Sequence, residues 1–71
     1  MKFDYSKLRG RIIEKFGSCE AFNKAAGWHK CKVNRILNNS HKLFTGDMET
    51  LIEMLEIKPE DIKNYFFTKK V

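Results

Sequence analysis

The sequence predicts an all-α fold with a helix-turn-helix at its centre, and three observations predict it. Between Cys19 and Asn38 (CEAFNKAAGWHKCKVNRILN) the apolar residues recur at helical spacing, with Phe22 and Ala26 in one stripe and Val33, Ile36 and Leu37 in another. Gly27-Trp28 breaks the register between the stripes, as a tight turn between two short helices requires. On either side, Leu8, Ile12 and Phe16, and then Met48, Leu51, Ile52 and Leu55, repeat the helical spacing.

Taken in order, Asp4 is suited to cap a first helix running to about Phe16, where Gly17 stops it; Gly10 weakens this helix by up to about 1 kcal/mol relative to alanine. Ser18 is the N-cap of the second helix, and Gly27 can take the left-handed conformation its end needs. Trp28 and Val33 fit a hydrophobic staple around a cap at His29, which opens the third helix. A polar amide at Asn23, where two helix backbones nearly touch, costs stability unless bonded, so Asn23→Ala is expected to stabilise. Asn38 to Lys42 form a polar loop. Thr45 is a candidate cap for a fourth helix, whose positive end suits Asp47 and Glu49. Pro59, Glu60 and Asp61 lead into a fifth helix from Ile62 to about Phe66, and Ile57, Ile62, Tyr65 and Phe66 close the core.

With Val33, Ile36 and Leu37 inward, Cys31, Asn34, Arg35 and Asn38 point outward from the third helix, flanked by Lys30 and Lys32. No carboxylate occurs between Lys24 and Lys42. Such a face suits nucleic acid, since Arg and Lys match guanine acceptors, Asn matches adenine, and surplus cations meet phosphates. The charge is also segregated. Residues 1–42 hold ten Lys and Arg against three Asp and Glu, a balance of +7, whereas residues 43–71 hold four against six, a balance of −2.

At these residues the chain resembles the Cro/repressor-like, or XRE-type, helix-turn-helix domains, in particular the small Cro-like phage regulators. The resemblance rests on Gly27-Trp28-x-x-x-x-Val33-x-Arg35-Ile36-Leu37-Asn38-Asn39 and on the segment Leu43 to Phe66. It implies a compact five-helix repressor-like bundle, with the helix-turn-helix at about residues 18–38 and the third helix in the major groove of a palindromic operator. By position, Lys30, Cys31, Asn34 and Arg35 fall where that family reads bases. Cys19, Asn38, Asn39 and Lys42, with Lys32 beside them, fall near the DNA backbone. Cys19 stands where the family usually has glutamine, and Asn23 where it usually has alanine.

The remaining features bound the chemistry. Seventy-one residues make one domain, 1–71, whose thin stability margin favours a partner. No apolar run approaches the roughly 20 residues that cross a bilayer, and no signal peptide opens the chain, so a cytoplasmic protein without membrane contact is expected. Cys19 and Cys31 are expected as free thiols. With His29 and His41 they lack metal-ligand spacing, and no triad can be built, so no metal, cofactor, small-molecule ligand or enzymatic activity is expected. The leading expectation is a sequence-specific DNA-binding transcriptional regulator, acting as a repressor, bound to a double-stranded operator as a homodimer. The alternative is a small helical protein-interaction module, such as an antagonist of a repressor, contacting its partner through Phe44 and the aromatic stretch YFFTKKV. The departures at Cys19 and Asn23 motivate it.

Overall fold

A computed structural model describes residues 3–69; Lys70 and Val71, the end of the aromatic stretch, lie outside them. Five α-helices follow one another as α1 (Ser6–Phe16), α2 (Cys19–Ala26), α3 (Lys32–Leu37), α4 (Thr45–Met54) and α5 (Ile62–Phe66), with a 3-10 turn at Pro59–Asp61. The all-α five-helix bundle expected from the sequence is thus the fold.

The sequence signals act locally much as their chemistry dictates. The cap position of α1 is held by Tyr5 without a side-chain bond rather than by Asp4, which stands one residue earlier and accepts from the Ser6 N–H at 2.9 Å; α1 stops where Gly17, at φ +88°, donates its N–H to the Ile13 carbonyl. The Ser18 hydroxyl caps α2 by accepting from the Ala21 N–H at 3.0 Å. Gly27, at φ +72°, ends that helix, and the Trp28 N–H returns to the Asn23 carbonyl at 2.8 Å.

Two further expectations at helix starts are corrected. The third helix opens at Lys32, with Cys31 in the cap position, rather than after a cap at His29. His29 serves the turn instead, its Nδ1 accepting from the Cys31 N–H at 3.3 Å. Thr45 is the first residue of α4 and not its cap; Phe44 holds the cap position and no side chain caps the helix. The positive end of α4 is met by Asp47 in the first turn.

The core forms where the five amphipathic stripes meet. Leu8 and Ile12 of α1, Phe22 of α2, Val33 of α3, and Leu51 and Leu55 around the end of α4 are fully buried, and Phe66 of α5 nearly so. Phe22 lies between Phe16 and Trp28, edge-on to both at 5.2 and 5.5 Å between centroids. The α1 helix packs against α2, α3 and α5, and Arg11 binds it to the end of α4 through Nε to the Leu55 carbonyl at 2.9 Å. The chain ends meet as well. Phe3 and Lys69 form an isolated antiparallel bridge, and the Asp4 N–H donates to the Thr68 carbonyl at 2.7 Å. No helix is long and apolar enough to cross a membrane among the described residues.

Candidate functional site

Asn23 is buried and sits at the close approach of α2 and α3 with its amide fully used. Its Oδ1 accepts from the Val33 N–H at 3.0 Å, while Nδ2 donates to the Lys30 carbonyl at 2.9 Å and to Asn34 Oδ1 at 3.0 Å. Val33 is the second residue of α3, where the N-cap side chain ordinarily supplies the acceptor. Here α2 supplies it across the turn. The expectation that Asn23→Ala stabilises is therefore corrected: this amide is bonded, and its loss strands groups inside the protein.

The same bonds occupy part of the outer face of α3. Asn34 Oδ1 is taken by Asn23, so Asn34 cannot offer a free amide edge, and reading adenine takes both the oxygen and the nitrogen. Lys32 is paired with Asp47 at 2.8 Å and lies 4.5 Å over the Trp28 ring, held against the body of the molecule. Asn38 Oδ1 accepts from Arg9 Nη2 at 3.4 Å. Asn39, at φ +61°, is turned toward the chain start, where Oδ1 accepts from the Phe3 N–H at 3.2 Å and Nδ2 donates to the Phe3 carbonyl at 2.9 Å. Cys19 is buried and Cys31 half-buried, both free thiols. Of the predicted contact residues, Lys30, Arg35, Asn38 and Lys42 are exposed. The arrangement is a cationic surface on a helix whose amides are largely committed to holding the fold.

Next to it, with His41 shared between the two, lies an apolar surface. Phe44 and Phe67 are 56% and 48% exposed, far more than rings placed for packing alone. The Phe67 ring meets Phe3 edge-on at 5.8 Å and the Phe44 ring meets His41 at 6.2 Å. The part played by Phe3 was missed by sequence reasoning, because its partners Asn39 and Lys69 are distant in the chain. Nearby, burial raises the Tyr5 hydroxyl above its ordinary pKa of 10.0.

These features define a small all-α protein with a helix-turn-helix, a part-committed third helix and exposed aromatic rings. The chain belongs to a family described as "Protein of unknown function (DUF739)", whose model matches residues 1–69. It is similar to the modulator of repression (MOR) of the temperate bacteriophage TP901-1 from Lactococcus lactis. That solution structure is 37% identical, covers 100% of this chain and 96% of its own, and has a TM-score of 0.80. No curated protein matches the chain.

The similarity overturns the resemblance to Cro/repressor-like, XRE-type domains, and with it the expected DNA-binding repressor and its operator partner. The misreading has a physical origin. Ser18, Gly27 and the Val33-Ile36-Leu37 stripe specify helix, turn and helix, but they do not specify what the outer face binds.

Proposed function

We propose that this protein is a modulator of repression, a small helical interaction module that works in the cytoplasm by binding a phage repressor and antagonising it. The observation that carries this reading is its 37% identity, over its whole length, with a protein named for that role. The committed amide of Asn34 agrees with it, since it takes the adenine-matching edge out of the expected base-reading set, and Asn39, expected near the DNA backbone, is bonded to Phe3 instead. So do the exposed rings of Phe44 and Phe67, because aromatic side chains are enriched among the anchors of protein interfaces.

The test is size-exclusion chromatography with light scattering on this protein mixed with its cognate phage repressor. The expected result is co-elution at the mass of a complex. Separate elution of both proteins at concentrations well above micromolar would contradict the reading.

A further inference from the structure

The loop after α3 and the two chain ends enclose a groove of about 430 Å³, walled by Phe3, His41, Lys42, Leu43, Met48 and Phe67 among others. Its lining is mixed: Phe3, Leu43, Met48, Phe66 and Phe67 form an apolar part, and Asn39, Ser40, His41 and Lys42 a polar one. Lys42 is exposed at its edge, with its ammonium 5.8 Å from the centre of the Phe44 ring, and none of the described residues that line the groove is Asp or Glu. Phe67 belongs to the wall, and Phe44 continues it through its edge-on contact with His41. Two of the most exposed large apolar side chains of the protein thus border one concave, cationic-rimmed surface.

We propose that this groove is the docking site for the repressor, and that the segment filling it is apolar and carries a carboxylate that meets Lys42. The proposal rests on the modulator reading and adds to it a place and a partner chemistry. Charge complementarity selects the carboxylate. A lysine beside aromatic rings loses water when a partner covers it, and with no acidic residue in the lining the compensating charge has to come from the partner. A second copy of this chain is the poorer occupant. A two-fold contact places the same patch on both subunits, so two rims bearing Lys42 and no carboxylate would face each other.

The experiment is a titration of ¹⁵N-labelled protein with the intact cognate phage repressor, followed by affinity measurements on Lys42→Glu, Lys42→Arg and Ile13→Ser. Ile13 is exposed on α1 and is not among the groove residues, so it serves as a control for non-specific apolar contact. Shifts are expected to concentrate at residues 41–44 and 66–67. Affinity should fall about tenfold or more for Lys42→Glu, as reversal of a partly buried charge implies, and change little for the other two variants. Because Lys42 is exposed, its variants should keep the helical circular dichroism of the wild type. A complex whose shifts map to Lys30 and Arg35, or Lys42→Glu binding as tightly as wild type, would overturn the docking site while leaving the modulator reading in place. A mixture that forms no complex overturns the modulator reading, and the docking site with it.

Discussion

Asn23 holds the turn between α2 and α3 with one side chain. Removing its amide leaves the Val33 N–H and the Lys30 carbonyl without the partners they have in the fold, and Asn34 Oδ1 without its donor. Asn23→Ala should therefore destabilise by about 2–3 kcal/mol in urea denaturation, the cost of stranding buried polar groups. An unchanged midpoint would mean that water replaces the amide. Tyr5 offers a second test at this scale. Its pKa is raised by burial, so the folded protein keeps the phenol protonated at a pH where the unfolded chain has begun to lose the proton. Its contribution is fully present below pH 10.0 and is lost as pH rises through the higher folded value. Stability should thus decline above that pH, and the decline should be shallower in Tyr5→Phe. An equal decline in both would assign it to other groups.

At the scale of elements, the end of α4 is held in two opposing ways. Glu56 adopts φ +52°, a left-handed conformation that costs an L side chain more than glycine, while its carboxylate is bonded to Lys15 of α1. That bond holds the Glu56 carboxyl below its ordinary pKa, so its small, screened contribution is present above the usual carboxylate range and is lost as pH falls through the depressed value. Glu56→Gly should therefore raise the melting temperature by a few degrees in 1 M salt, where the ion pair is screened and relief of backbone strain dominates. At low salt the gain should be smaller. A melting temperature that falls at both salt concentrations would show that the pair outweighs the strain.

The helices themselves were legible because their signals are local. Ser18, Gly17, Gly27 and Pro59 act within a turn of where they stand, and the Leu8-Ile12 and Leu51-Leu55 stripes need only helical periodicity. The start of α3 was not legible, because its capping acceptor comes from Asn23 on another helix. The clamp between Asn39 and Phe3 was hidden in the same way, as 36 residues separate its partners. Outward direction on a helix wheel says where a side chain can go. It does not say whether Asn34 or Lys32 has already found a partner within the fold.

For the whole molecule, the charge segregation that suggested DNA fits a protein partner equally well. A basic surface next to an exposed aromatic groove can steer an acidic protein as readily as a nucleic acid. What separates the two is the molecule on which this protein acts. The most direct measurement is an electrophoretic mobility shift of repressor on its operator, at physiological salt with competitor DNA, as this protein is added. The repressor–operator complex should diminish in proportion to the protein added, and the protein alone should leave the operator unshifted. A discrete complex of the protein alone with the operator, or a repressor shift that excess protein leaves untouched, would contradict its action through a repressor.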